Sequence, residues 1–282
     1  MPTPRIIVLR APGSNCDQEA AFAFETAGGK AEITHLNRAL ENPKILAAAQ
    51  ILCIPGGFSY GDDMSAGRVF GNQIRHHLAG ALQDFKAAGK LILGICNGFQ
   101  ILIKSGVLLP DRADEPIATL TNNDSGKFEC RWINLAVEGS QCVFLQRIER
   151  LYVPIAHAEG KFVARDEGTL DALERNGQLC LRYAEEVQGS RFNVQGLVAS
   201  ESQISNLKSA ISSPSPLLPY PTNPNGAQRN VAGVCDETGR VLGLMPHPER
   251  HIDPTQHPRW TREQHSRGDG LAVFENAVRY FG

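Results

Sequence analysis

Through Lys104 the chain alternates short, wholly apolar runs with longer amphipathic stretches. Arg5 to Arg10 carries Ile6, Ile7, Val8 and Leu9 ahead of Pro12 and Gly13, which predicts a buried strand. Asp17 to Ala27 predicts a helix stopped by Gly28 and Gly29. Ala31 to Leu36 predicts a second strand, and Ile51 to Ile54 a third, closed by Pro55, Gly56 and Gly57. Val69 to Ala87 predicts one long amphipathic helix ended by Gly89. Leu91 to Ile95 is a fourth strand, with a helix behind it from Asn97 to Lys104. Strands alternating with helices form crossover units, and crossover units build a parallel sheet. Uninterrupted apolar strands fit, because such a sheet is covered on both faces.

The pattern changes after Gly106. Phe128 to Val137, Leu151 to Ala156 and Gln178 to Tyr183 predict strands with no clear helix between them. They read as a mixed or antiparallel extension of the same sheet. Val187 to Asn230 is irregular and rich in serine and proline, from Ser212 to Pro216 and again at Pro219, Pro221 and Pro224. It reads as an exposed insertion, set at 187–219, with a short helix expected at Glu201 to Ile211. Strands resume at Val231 to Cys235 and Val241 to Met245, and Leu271 to Phe281 predicts a closing helix. The expected fold is therefore α/β: an open, mostly parallel sheet with helices on both faces and a mixed extension, one domain spanning 1–282.

Composition narrows the function classes. A chain of 282 residues buries a core without disulfides or metals. A formal net charge of −2 gives no basis for nucleic-acid binding, which usually needs a basic face. No segment approaches the ~20 apolar residues of a membrane span. The apolar core near the N-terminus, Ile6 to Leu9, is too short for a signal peptide. The seven cysteines are odd in number and include no Cys-x-x-Cys pair, so neither a disulfide framework nor a zinc site is indicated. The reading is cytoplasmic, where Cys96 persists as a free thiol.

The chemistry centres on Leu91-Ile-Leu-Gly-Ile-Cys-Asn-Gly-Phe-Gln100. A buried strand runs through Gly94 to Cys96 and Gly98 and into a helix. Such a turn lifts a nucleophile out of the sheet, with glycines relieving the crowding on either side. The helix N-terminus then favours thiolate over thiol. A nucleophile needs a base, and the base an orienting group. His247 follows the apolar strand Val241 to Met245, with Glu249 two residues on and Pro246 and Pro248 stiffening the segment. Ligands of parallel sheets bind at the carboxyl ends of strands, so Cys96 and His247 are expected at one rim. His247 and His251 have metal-ligand spacing only on a helix, which the prolines disfavour. His157 and Glu159 make a second polar pair at a strand end, with a supporting or interface role left open. The backbone N–H groups of Gly57 and Asn97 are candidate oxyanion donors. Gly56 and Gly61 have P-loop spacing, but Asp62 stands where lysine is required, so an ATP-dependent step belongs to another chain.

Gly94-Ile-Cys-Asn-Gly-Phe-Gln100 with His247-Pro-Glu249 resembles the class I, triad-type glutamine amidotransferases. Gly13-Ser-Asn-Cys-Asp17, Gly56 to Asp62, Asn123 to Trp132, Pro154 to Gly160, Asn223-Pro-Asn-Gly226 and Gly243 to Arg250 make the family of glutaminase subunits of phosphoribosylformylglycinamidine synthase the closer match. The resemblance implies that Cys96 attacks the amide carbon of L-glutamine, His247 shuttles the proton and Glu249 orients His247. It implies that Gly57 and Asn97 hold the oxyanion and that Gln100 helps hold the glutamine. It implies no cofactor in this chain. ATP and magnesium are expected on a large synthetase subunit, joined by a small bridging subunit, that turns formylglycinamide ribonucleotide into its amidine in purine biosynthesis. A different acceptor, a non-catalytic regulatory module or a cysteine peptidase built on the same elbow are the competing readings. The long 187–219 insertion, Ala158 where the family often has glycine, and an elaborate Asp253 to Arg267 segment depart from compact members.

Overall fold

In the computed structural model, which describes residues 3–112, 115–139, 141–186, 216–263 and 266–282, the predicted apolar runs are strands. The strands are β1 (Arg5–Arg10), β2 (Lys30–His35), β3 (Ile51–Ile54), β4 (Leu91–Ile95), β5 (Ala118–Thr121), β6 (Glu129–Val137), β7 (Arg150–His157), β8 (Lys161–Ala164), β9 (Leu181–Ala184), β10 (Val231–Cys235) and β11 (Val241–Leu244). Nine of them form one sheet in the order β2-β1-β3-β4-β11-β10-β9-β6-β7, and β5 and β8 form a separate pair. From β2 to β11 every pairing is parallel; from β11 to β7 every pairing is antiparallel. The antiparallel extension is thus as wide in pairings as the parallel part.

Burial follows position in the sheet rather than strand direction. Every residue of β3, β4, β10 and β11 is buried, so these strands lie at the centre of the sheet with both faces covered. β7 instead alternates buried and half-buried positions, as a strand with one wetter face does.

The helices are α1 (Asp17–Thr26), α2 (Leu36–Glu41), α3 (Arg68–Gln73), α4 (Ala79–Ala87), α5 (Asn97–Lys104), α6 (Glu167–Arg175) and α7 (Leu271–Arg279). α1 and α7 meet through Phe24 and Phe274, whose ring centroids lie 4.9 Å apart edge to face. α3 and α5 form another close pair: a Cβ on Gly71 would come within 3.1 Å of Lys104 Cβ and 3.3 Å of Ile101 O. Fully buried side chains such as Ile6, Phe24, Leu36 and Phe274 each contribute roughly 1.5–3 kcal/mol of hydrophobic stabilisation.

The single regular helix expected at Val69 to Ala87 is interrupted. Ile74–Leu78 is a π turn between α3 and α4. The wider turn keeps Ile74, Leu78, Leu82 and Phe85 all buried on one side of the run. No proline or glycine marks it, so local sequence gives no warning. α6 also stands where no helix was expected. Its signal is a cap, Asp166 Oδ1 accepting from Thr169 N at 2.7 Å, and a narrow buried stripe of Thr169, Leu170 and Leu173.

Of the 187–219 insertion, residues 187–215 lie outside the described residues, and so does the helix expected at Glu201 to Ile211. No helix among the described residues is long and apolar enough to cross a membrane.

Candidate active site

β4 delivers Cys96 into a sharp turn. Its backbone sits at φ 51°, ψ −105°, outside the regions a non-glycine residue ordinarily occupies. Close packing holds it there. Cys96 N donates to Leu244 O on β11 at 2.7 Å. The flanking glycines are required by contact: a Cβ on Gly98 would fall 1.9 Å from Ile54 O, and one on Gly94 2.6 Å from Gly98 O. α5 begins at Asn97, so the thiol stands at a helix N-terminus whose opening N–H groups have no intrahelical partners. Cys96 is 5% exposed, with Sγ 3.6 Å from Ala156 O on β7.

β11 delivers His247. Its N–H donates to Pro154 O at 2.8 Å, and the prolines on either side lead into a short turn, Pro248–Arg250, that carries Glu249. His247 Nδ1 and Glu249 Oε1 lie 2.6 Å apart, both side chains buried. Gly56 marks where the groups converge. A Cβ there would lie 2.8 Å from His247 Cε1, 3.1 Å from Cys16 Sγ and 3.5 Å from Cys96 Cβ. Cys96 and His247 both line a cleft of about 260 Å³, with Gly57, Phe58, Phe128 and Arg250 among its walls. Cys96, His247 and Glu249 are thus brought together at the carboxyl rim of the parallel strands.

The model of the CobB/CobQ-like glutamine amidotransferase domain family matches residues 3–195 and 198–281 of the chain. The chain belongs to that family. It is 43% identical to the phosphoribosylformylglycinamidine synthase subunit PurQ of Dehalococcoides mccartyi, covering 98% of this chain and 97% of that one. It is 38% identical to the subunit PurQ of Methanococcus maripaludis, over 99% and 97% respectively. Among solved structures it is similar to a chain of PurLQS from Thermotoga maritima, 31% identical with a TM-score of 0.68, both chains fully covered.

In this glutamine amidotransferase the imidazole of His247 is electrostatically loaded. Burial alone would push its pKa down. The Glu249 carboxylate, with Cys96 and Cys16, overcomes that and holds it well above 6.5. Nδ1 is taken by Glu249, while Nε2 is buried and makes no hydrogen bond among the described residues; Cys96 and Cys16 act on the ring electrostatically.

Gly57 has φ 138°, and a Cβ there would strike Asn15 N at 2.7 Å and Gly13 O at 2.8 Å, so only glycine lets this loop press against Gly13 to Asn15. Phe58 N and Cys16 N are bonded across the contact, to Gly13 O and Gly56 O. Gly57 lines the cleft.

Gln100, expected to help hold substrate, is placed differently. It is 3% exposed and absent from the cleft wall. Its Oε1 accepts from Asn97 Nδ2 at 2.9 Å and its Nε2 donates to Glu159 O at 2.6 Å, so its amide is committed to bracing the loop beneath the site. The Asn97 side chain joins the same brace, accepting from Ser59 N at 3.3 Å. Glu159 caps Ala66 N at 3.3 Å, and His157 Nδ1 pairs with Asn123 Oδ1 at 3.1 Å. Burial, reinforced by His247, pushes the His157 pKa down to about 3.

His251 Nδ1 lies 2.7 Å from Tyr152 O, and among the described residues His251 joins no cluster of metal-ligating side chains with His247.

Cys16 was not anticipated as part of the site. It stands just before α1, accepts from Arg250 Nη2 at 3.0 Å and donates to Asn15 Oδ1 at 3.2 Å. Its only signal in the sequence is its place within Gly13-Ser-Asn-Cys-Asp17, a segment with no catalytic pattern of its own.

Proposed function

We propose that this chain is the glutaminase subunit of phosphoribosylformylglycinamidine synthase, releasing ammonia from L-glutamine for a synthetase partner. The observation that carries the chemistry is the meeting of Cys96, His247 and Glu249 around Gly56. The acceptor and assembly rest on the PurQ relatives and on the Thermotoga maritima PurLQS structure.

Cys96 Sγ, as thiolate, bonds to the side-chain amide carbon of glutamine. The oxygen takes the negative charge, and the N–H groups of Gly57 and Asn97 are its donors. The imidazolium of His247 gives its proton to the nitrogen, the C–N bond breaks and ammonia leaves. A γ-glutamyl thioester remains on Cys96. Water then attacks it, His247 takes the water proton, the C–S bond breaks and glutamate departs. Glu249 holds the ring orientation and stabilises its charge throughout.

Asp62 occupies the position where a phosphate-binding loop would need lysine, so ATP and magnesium belong to the large synthetase subunit. A small third subunit completes the assembly, and its site of action is the cytoplasm.

The decisive variant is Cys96→Ala in the complex with the synthetase. Glutamate release and glutamine-driven amidine formation fall by ~10⁴-fold or more, while formation driven by added ammonium persists. Retention of glutamine-driven turnover would overturn the assignment of Cys96. Loss of both activities in a complex that still assembles would overturn the division of labour.

A further inference from the structure

At the opposite edge of the sheet from the catalytic rim, three cysteines meet. Cys142 precedes the short turn Val143–Leu145, Cys180 precedes β9, and Cys235 ends β10. Their sulfurs all lie within 4.8 Å of one another, and all three residues are buried. None is in a disulfide. Cys235 is paired with Leu242 near the start of β11, whereas His247 follows the end of that strand, so this cluster and the catalytic thiols occupy different ends of the fold.

The backbone that carries the cluster is fixed from several directions. Gln178 O accepts from both Cys180 N at 2.9 Å and Cys235 N at 2.8 Å. Gln178 Nε2 returns a bond to Cys235 O at 3.2 Å. Glu138 N donates to Cys180 O at 2.9 Å, and Val143 N to Gly239 O at 2.9 Å. Gly239 has φ 68° and a Cβ there would fall 2.0 Å from Gln141 O, so the turn after β10 is pressed onto the strand of chain leading to Cys142. The amide of Gln141 reaches Cys235 Sγ at 3.8 Å and supplies a donor to that sulfur. Three segments far apart in sequence thus hold three thiols in a preset triangle.

We propose that Cys142, Cys180 and Cys235 form a binding site for one soft d¹⁰ cation of the monovalent copper class. A metal–sulfur bond of about 2.3 Å sets three sulfurs about 4 Å apart around a central ion, so the triangle closes with movements below about 1 Å. Soft thiolate ligands select such ions. A tetrahedral zinc site needs a fourth ligand, and the neighbouring carboxylate is already engaged. Asp236 Oδ1 accepts from Arg240 N and Val241 N at 3.1 Å, and Oδ2 faces Lys86 Nζ at 3.3 Å. Three sulfurs with no fourth ligating side chain beside them among the described residues suit a trigonal ion. Each thiol that binds as thiolate releases its proton to solvent, so uptake of the ion acidifies the medium.

The test uses the full-length reduced chain without oxygen. Copper(I) is supplied as its bathocuproine disulfonate complex, so that only a competitive site retains it. The wild type and the Cys96→Ala variant each keep one equivalent. Cys180→Ser and Cys235→Ser each weaken retention by more than the ~10–100-fold that loss of a supporting group costs a metal site. X-ray absorption of copper in the wild type needs no core variant and reads three sulfur neighbours at about 2.3 Å. The proposal is overturned if the wild type retains no copper, if retention falls with Cys96 and not with Cys180 or Cys235, or if the absorption spectrum reads nitrogen in the shell.

Discussion

On the parallel side of the sheet, β4 and β11 are neighbours, and their ends deliver two reactive side chains, Cys96 and His247, around one glycine. On the antiparallel side, β7 delivers backbone to the same two residues: Pro154 O takes the His247 N–H at 2.8 Å, and Ala156 O faces Cys96 Sγ at 3.6 Å. One half supplies chemistry and the other a clamp. The difference follows from topology. Parallel strands all end at one rim, so side chains far apart in sequence gather there. An antiparallel strand presents its carbonyls along an edge, and these position a neighbour whatever side chains the strand carries. Variants in the two halves are therefore expected to fail in different ways.

The largest effect falls on the chemical half. Glu249→Gln keeps the size of the side chain and removes its charge. The expected loss in kcat/KM for glutamate release is ~10³–10⁴-fold, the scale set when an orienting carboxylate is neutralised in such a triad. Stability should also report the missing charge. His247 is held well above 6.5 in the folded chain, with Glu249 the main cause working against burial. That contribution is fully present below about pH 6.5 and fades as the pH rises through the folded value. The stability difference between wild type and variant, from denaturant unfolding, is thus largest on the acid side of 6.5 and shrinks above it. Full activity in the variant would mean that His247 is oriented by its backbone bond to Pro154 alone.

The same contrast explains which features are legible in the sequence. The central parallel strands β3 and β4 are apolar at every position, and the glycines around Cys96 are demanded by contacts within a few residues, so both leave local marks. His247 and Glu249 are marked by their place after an apolar strand. The clamp leaves no such mark, because Pro154 O and Ala156 O act through backbone. Cys16 reaches His247 only through the fold, and Gln100 turns to Glu159 O for the same reason. β5 and β8 are four-residue strands with alternate positions buried, and α6 buries only a narrow stripe, too little periodicity to read beforehand. The π turn at Ile74–Leu78 is set by keeping one face buried and has no residue-level signature.

A second variant loads the clamp. His157 ends β7, is 3% exposed, and has its pKa pushed down to about 3 by burial, with the charge of His247 adding to it. The unfolded chain takes up that proton near pH 6.5 and the folded chain refuses it. Stability therefore falls as the pH drops from about 6.5, by up to about 1.4 kcal/mol per unit from this residue. His157→Asn keeps a polar partner for Asn123 and removes the titration. Its unfolding free energy should decline less steeply with acid than that of the wild type, while glutamate release at neutral pH stays within about tenfold. Equal slopes would show that His157 charges without cost, through an opening of the Asn123 loop.

The smallest effect on glutamate release lies farther out on the same antiparallel half. Arg131 on β6 pairs with Glu129 Oε2 and with the Tyr220 hydroxyl, and its guanidinium lies 4.7 Å from the Tyr220 ring centroid. Tyr220 is 59% exposed, so solvent screens that contact, whereas Glu129 is 5% exposed and retains Ser125 Oγ as a donor; Arg131→Ala should cost about 1–3 kcal/mol in unfolding experiments. Tyr220 nevertheless leads into Asn223 to Gly226, where Asn225 Nδ2 bonds Gly160 O at 2.7 Å and the Tyr183 hydroxyl at 2.9 Å, close behind His157. Those bonds are buried and do not pass through Arg131. Asn223 Oδ1 further secures Gly226 N and Ala227 N at 3.0 and 3.1 Å. Glutamate release by Arg131→Ala should therefore match the wild type. A fall of tenfold or more would mean that the surface contact sets the Asn225 position, and that the clamp extends from the rim to the outer strands of the sheet.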